Sequence, residues 1–331
     1  MMKVLVVGAG LAGCTTALEL AENNVTVTLI DTAASIGGKV RHYGCKATDK
    51  CNNCGLCLAA GLWEKVDQHS HINMRLSTRL VDLSQENEKY AATLKHTAGV
   101  VSENFNKVII SIGFLDSATA EKSGQSRIIS GSQIEMLLRD RTSTGFLETS
   151  PESVAFVMCH GSRDCHEHTM YCSRVCCKYA TRTAKAIKHF YPECRIVFFY
   201  MEMQMVAPGD YYQSLLDLGI EFIKCRPVEV NSNGSSAAHI VYDDPVSGKR
   251  LQDCFDLVVL SEGIKPNSQS RQVSEICELG QDKAGFLQYV NTNNPDIKLV
   301  GCASGPKDIT ETYAEAIAAA KEILQSQEAL I

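Results

Sequence analysis

Cysteine is the residue that stands out, with 15 in 331 residues against a single Trp. An odd number cannot pair completely within one chain, and the chain is far longer than disulfide-stapled scaffolds. Two groups have spacings that could do chemistry. Cys45, Cys51, Cys54 and Cys57 form C-x5-C-x2-C-x2-C. The last three repeat the close spacing of bacterial ferredoxin ligands, whose thiolates reach adjacent corners of an iron–sulfur cube. Asn52, Asn53 and Gly55 favour the needed turns and offer backbone amides to sulfur. Four thiolates also suit a structural zinc, and Cys51 with Cys54 could cycle as a redox dithiol. The second group is Cys159, Cys165, Cys172, Cys176 and Cys177. On a helix, Cys172 and Cys176 share a face one turn apart. Cys177, about 100° further round, needs a helix start or a distortion to join them. His160, His166 and His168 close by read as a polar loop, and the other six cysteines as small buried hydrophobes, Cys302 excepted.

These thiols must be held by something. Lys3–Val7 reads as a strand, Gly8–Gly13 as a turn, Cys14–Glu22 as a helix and Thr26–Ile30 as the next strand. Gly8-Ala9-Gly10-Leu11-Ala12-Gly13 matches G-x-G-x-x-G in the strand–turn–helix context that the motif requires. Gly8 permits the turn, Gly10 lets backbone approach a pyrophosphate, and Gly13 lets the helix pack on the strand. The helix N-terminus supplies amides to phosphate, and Asp31 ends the next strand, placed to hold a ribose hydroxyl. Gly37-Gly38 with Lys39 resembles the paired glycine that brings backbone to FAD in flavoproteins with two dinucleotide-binding domains. Ser111-Ile112-Gly113 resembles their strand-end motif. Gly301 resembles the glycine of a Gly-Asp pair at the ribityl chain, with Cys302 standing where the Asp is expected.

A second strand–helix unit begins at Val154–Met158, followed by a helix over Tyr171–Tyr191 and strands near Arg195–Tyr200, Glu221–Ile223 and Asp256–Leu260. After its first strand, Cys159-His160-Gly161-Ser162-Arg163-Asp164 lacks the glycines that admit a second pyrophosphate, so no working nicotinamide site is expected. The alternation predicts an α/β fold of two dinucleotide-binding-type units, with parallel sheets and helices on both faces. The expected domains are 1–148 plus 283–331, carrying FAD and the Cys-rich loop 45–57, and a degenerate NAD-like domain over 149–282. Hydrophobic residues are 45% and charged residues 21%, which excludes a disordered tail, and the net charge of -6 argues against nucleic acid. Val4–Val7 runs straight into the glycine loop, so it reads as a strand rather than a signal peptide. No run approaches a transmembrane span, and the reduced thiols point to the cytoplasm.

Together, Gly37-Gly38-Lys39-Val40-Arg41, Cys159–Asp164, Tyr171–Cys177 and Gly301-Cys302-Ala303-Ser304-Gly305-Pro306-Lys307-Asp308-Ile309 resemble the HdrA family of heterodisulfide reductase flavoproteins over nearly the whole chain. The resemblance implies a thioredoxin-reductase-like two-domain flavoprotein core, FAD, one or two [4Fe–4S] clusters, and electron transfer between them within a multi-subunit complex, with pairing as a homodimer. It implies that Cys159, Cys172, Cys176 and Cys177 are cluster ligands and Cys165 a spare. The FAD-contacting set is completed by Leu11, Ala12, Val40, Leu80, Val81, Pro306, Asp308 and Ile309, with Lys307 and Cys302 at the reactive flavin edge. The inserted and C-terminal ferredoxin domains of the long methanogen form are not expected here, and the chain looks like the short forms of sulfur-oxidising or quinone-interacting complexes. The rival reading is an NAD(P)H-dependent disulfide reductase working through Cys51 and Cys54; a scaffold that merely holds FAD is a third.

Overall fold

The computed structural model describes residues 2–331 except Glu88, 117–126, Ser143, Glu148, 167–168, 205–209, 233–236, 291–295 and 329–331. His168 and the expected domain boundary at Glu148 therefore lie outside the described residues. The helices are α1 (Leu11–Glu22), α2 (Leu62–Gln68), α3 (Gly131–Arg139), α4 (Cys176–Phe190), α5 (Tyr211–Leu216), α6 (Ser270–Ile276) and α7 (Ile309–Glu328). The chain divides into two compact units. One comprises Met1–Arg41, Gly55–Leu115 and Pro266–Ile331, the other His42–Cys54 and Asp116–Lys265.

In the first unit, five parallel strands lie in the order Ile297–Leu299, Lys107–Ile110, Lys3–Val7, Thr26–Ile30, Ile72–Arg75. The two central strands, KVLVV and TVTLI, are branched and almost entirely buried, as a sheet covered on both faces requires. Helices α1, α2 and α7 cover one face. Ala12, Ala17 and Ala21 of α1 and Ala316, Ala319 and Ala320 of α7 are all buried in that layer, where small side chains permit close approach. Thr16 Oγ1 bridges the pair by donating to Ala12 O and Ala316 O. The other face, where the sequence also predicts helices, is covered mainly by an antiparallel sheet of Thr78–Glu86, Lys89–His96 and Gly99–Phe105, with α6 beside it.

The second unit repeats the plan. Its parallel strands run Glu221–Ile223, Arg195–Phe199, Ser153–His160, Leu257–Glu262, Ile128–Ser130. Helices α3, α4 and α5 cover one face, and an antiparallel sheet of Glu229–Asn231, Ala238–Asp243 and Arg250–Phe255 covers the other. Here the helices expected on the second face are replaced by strands. That replacement corrects the expectation of helices on both faces. Phe156 stacks on Phe198 with ring centroids 4.7 Å apart in the helical layer.

The loop that carries Cys45, Cys51 and Cys54 belongs to this second unit, and cations hold it there. Lys46 and Glu135 form a buried ion pair at 2.6 Å. Arg141 donates to Cys45 O and Ala47 O, and Arg182 of α4 donates to Asn52 O at 2.8 Å. Breaking a buried pair from one side strands the other charge. Lys46→Ala is therefore expected to destabilise the protein by about 3–5 kcal/mol, and the double variant with Glu135→Leu to recover most of it. Denaturant unfolding checks this; equal losses for the single and double variants would contradict it.

Candidate functional site

In both sheets the central strand is the point where chain order reverses, and ligands of open α/β sheets bind at the carboxyl end of such a strand. In the first unit this end carries the glycine loop. Gly8 sits at φ +108°, and a Cβ there would lie 2.3 Å from Ser111 O. A Cβ on Gly13 would lie 1.8 Å from Gly8 O. Ser111 Oγ locks the loop by donating to Val7 O and Gly8 O. Gly10 differs: its backbone is extended, and a Cβ there would meet nothing within 4 Å. Helix α1 starts at Leu11 with no side-chain cap and no acidic residue in its first turn, so the Leu11–Gly13 end offers amides and positive dipole to an anion.

Asp31 accepts from Ala9 N at 2.6 Å and Ala33 N at 2.7 Å. A carboxylate has about four acceptor sites, so capacity remains for ribose hydroxyls. Gly37 N donates to Ala9 O, and a Cβ on Gly38 would come within 3.0 Å of Gly10 Cα, which brings the paired glycine against the loop. Lys39 and Val40 lie in the following 3-10 turn, with Lys39 Nζ 5.3 Å over the Phe114 ring. Gly113 is left-handed with open space around it. Leu80 is a core residue beside Val7 and Val108, and Val81 is the extra residue of a β-bulge.

Gly301–Ser304 forms a 3-10 turn. Lys307 Nζ donates to Gly301 O at 2.9 Å and Ser304 Oγ at 2.8 Å and pairs with Glu315 at 3.2 Å. Its three protons thus have three partners within this segment, so a flavin bond would exchange with one of them. Asp308 caps α7 reciprocally with Glu311: Glu311 N donates to Asp308 and Asp308 N to Glu311. Pro306 precedes them and Ile309 opens α7. Cys302 Sγ donates to Lys307 O at 3.4 Å, and burial pushes its thiol up to about 11. In iron-free protein at pH 8, iodoacetamide is expected to label the exposed Cys45, Cys51 and Cys57 while Cys302 stays unmodified. Peptide mass spectrometry reads this, and comparable labelling of Cys302 in folded protein would contradict it.

In the second unit the same strand end carries sulfur. A register shift after Val157 and a left-handed Cys159 at φ +59° interrupt the strand near its end and re-aim this thiol. The helix expected from Tyr171 starts only at Cys176, so Cys172 is not on it and the shared-face reading is corrected. Arg174 at φ +62° breaks the helical path, and Ser173 Oγ is committed elsewhere, to Ser162 Oγ and Ile264 N. The vicinal Cys176-Cys177 instead forms the first two positions of α4, the helix start that the sequence reading demanded of Cys177. That end has no side-chain cap, so it faces its thiols with positive dipole.

The structure brings Cys159, Cys172, Cys176 and Cys177 into one neighbourhood, where each thiol lies within electrostatic range of the other three. Burial raises Cys159, Cys176 and Cys177, the last to about 11. Arg174 N donates to Cys172 Sγ at 3.3 Å. The Arg163 guanidinium lowers the Cys159 thiol by charge and a hydrogen bond, against the burial that raises it, and its Nη1 is buried with no partner among the described residues. Cys165 is exposed. A cavity of about 150 Å³ reaches Cys159 and His160 past Arg226 and Glu229. Four thiols, a sulfur-directed amide, an uncapped helix end and an orphaned guanidinium N–H fit an anionic metal–sulfur group. Among the described residues no three His, Cys, Asp or Glu side chains are set as ligands of a single ion.

In the Cys-rich loop, Asn53 is left-handed and its amide donates to Cys51 Sγ at 3.4 Å. Cys45, Cys51 and Cys54 fall in the second unit and Cys57 in the first. Sequence reasoning did not single out Lys46, Glu135, Arg141, Arg163 or Arg182; Arg163 was visible only as a letter in the motif after Cys159.

Residues 6–74 match a family model described as an NAD(P)-binding Rossmann-like domain. The fold is that of thioredoxin reductase: the enzyme from T. acidophilum superposes with TM-score 0.65 at 15% identity over 99% of both chains. A CoB–CoM heterodisulfide reductase iron–sulfur protein of the HdrA type from Methanopyrus kandleri is 26% identical over 96% of this chain and 63% of its own length. Over 83–98% of its length the chain is similar to heterodisulfide reductase proteins of this type at 23–28% identity. The corresponding component of the H2:CoB–CoM heterodisulfide,ferredoxin reductase from Methanothermobacter thermautotrophicus is 34% identical across 51% of this chain and 27% of its own length. The chain thus spans only about half to two thirds of the relatives it matches along its length. Among the described residues no helix is long and apolar enough to cross a membrane.

Proposed function

We propose that this chain is a flavin- and iron–sulfur-containing electron-transfer component of a heterodisulfide-reductase-like complex. The observation that carries the reading is a group of four thiols, Cys159, Cys172, Cys176 and Cys177, within electrostatic range of one another in the unit whose first strand lacks the glycine loop. FAD, held by residues of 1–148 plus 283–331, would supply the exchange between two-electron and one-electron chemistry. Gly8, Gly10, Gly13, Asp31, Gly37, Gly38, Ser111, Gly113 and Gly301 would form its cradle. Lys307, as a positioning residue, would fix the Gly301 turn and the charge near the flavin edge. The 149–282 domain would hold a [4Fe–4S] cluster on Cys159, Cys172, Cys176 and Cys177. The Cys-rich loop with Cys45, Cys51 and Cys54 would supply ligands to a second. Donors and acceptors would sit on partner proteins in the cytoplasm, with two copies of the chain pairing.

The reading predicts that NADH and NADPH leave the flavin oxidised in anaerobic protein, while dithionite bleaches it and raises an iron–sulfur EPR signal. Rapid bleaching by a nicotinamide without any such signal would replace the reading with a dithiol-based disulfide reductase.

A further inference from the structure

Arg163 occupies a position that fold stability alone does not account for. Its backbone is left-handed at φ +54°, a conformation seldom adopted by a long side chain, and its amide is fixed to Tyr171 O at 3.1 Å. The guanidinium lies close enough to the Cys159 thiol to lower it by charge and a hydrogen bond, and the side chain is only 29% exposed. Glu202, the carboxylate it pairs with among the described residues, is 3.6 Å from Nη2, longer than a hydrogen bond, and 65% exposed. Nη1 is buried with no acceptor among the described residues. A buried, unpaired N–H on a permanent cation is costly, so an acceptor belongs there. Arg226, which also lies near Cys159, differs because its guanidinium is already paired with Asp164.

We propose that Arg163 tunes the iron–sulfur site, donating to the Cys159 sulfur and turning its remaining buried N–H to the sulfur of the cluster that Cys159 helps to hold. The inference rests on the cluster reading above. Adding one electron to a thiolate-held cluster makes it more negative. A cation that hydrogen-bonds its sulfur therefore stabilises the reduced form more than the oxidised one and raises the potential. In the test the electron comes from dithionite and stays on the cluster, so no bond is made or broken.

The experiment is an EPR-monitored redox titration of anaerobically reconstituted protein, with iron counted for each variant. At the wild-type midpoint, Arg163→Gln is expected to lower the reduced fraction from one half to about one tenth. That tenfold change in ratio corresponds to about 59 mV for one electron. Arg163→Lys, which keeps the charge and one donor, should fall between the two, and it serves as the deciding variant if Arg163→Gln loses iron. Arg226→Gln should shift less than Arg163→Gln. An unchanged reduced fraction in an Arg163 variant with full iron, or an equal shift in Arg226→Gln, would overturn the inference and leave the cluster reading standing. A wild-type protein that takes up no cluster would overturn both.

Discussion

Gly10→Ala is expected to weaken FAD binding by a hundredfold or more while leaving the chain folded. The two halves of that expectation come from different observations. Gly10 has an extended backbone that any residue can adopt, and a Cβ would meet nothing within 4 Å. The unliganded protein should accept the methyl group with a stability change within about 0.5 kcal/mol. The open space, however, lies where the uncapped end of α1 meets the paired glycines, and that is where a pyrophosphate must approach the backbone. A hundredfold loss corresponds to about 2.7 kcal/mol. Gly13→Ala is the contrast. Its Cβ would stand 1.8 Å from Gly8 O and 2.7 Å from Ser111 Oγ, so strand and helix must part. Overpacking of this kind destabilises by about 1–3 kcal/mol or more. Flavin retention measured beside thermal unfolding separates the two variants. Full flavin retention by Gly10→Ala would show that the loop is not the pyrophosphate site.

The second large effect concerns sulfur. Cys177→Ser is expected to remove about four iron atoms per chain together with one EPR signal, while FAD content stays unchanged. The reasoning is local. Cys177 is in the first turn of α4, buried, and in electrostatic range of Cys159, Cys172 and Cys176. Serine is nearly isosteric and keeps the helix start, but it is a poor ligand to iron. Cys165→Ser, at an exposed neighbouring thiol, is the control and should lose nothing. Equal iron in Cys177→Ser and wild type would remove Cys177 from the ligand set.

How far the sequence reveals this depends on whether the constraint is local. The glycine loop was legible because each glycine answers to a backbone clash or an open approach within one strand–turn–helix. The strands Lys3–Val7, Thr26–Ile30 and Glu221–Ile223 match their predicted limits because their branched residues lie in strongly bounded runs. The start of α4 was not legible. Tyr171–Arg174 has no Gly or Pro to mark a helix boundary, but Tyr171 OH is drawn to Ile264 O and Ser173 to Ser162, partners about 90 and 11 residues away. The short strands Ile72–Arg75 and Ile128–Ser130 escaped notice because three or four residues carry too little periodicity. The same limit hid Lys46 and Glu135. Nothing in either local sequence says that two charges 89 residues apart will be buried together. Arg163 is the sharper case: its motif was read, but its orphaned N–H exists only after folding.

The central claim is that a dinucleotide-binding fold here carries iron–sulfur clusters beside FAD. The most direct measurement is iron and acid-labile sulfide per flavin in anaerobically purified and reconstituted protein. The account predicts about four or about eight of each per FAD, for one cluster or two. Stoichiometric flavin with neither iron nor sulfide would contradict it.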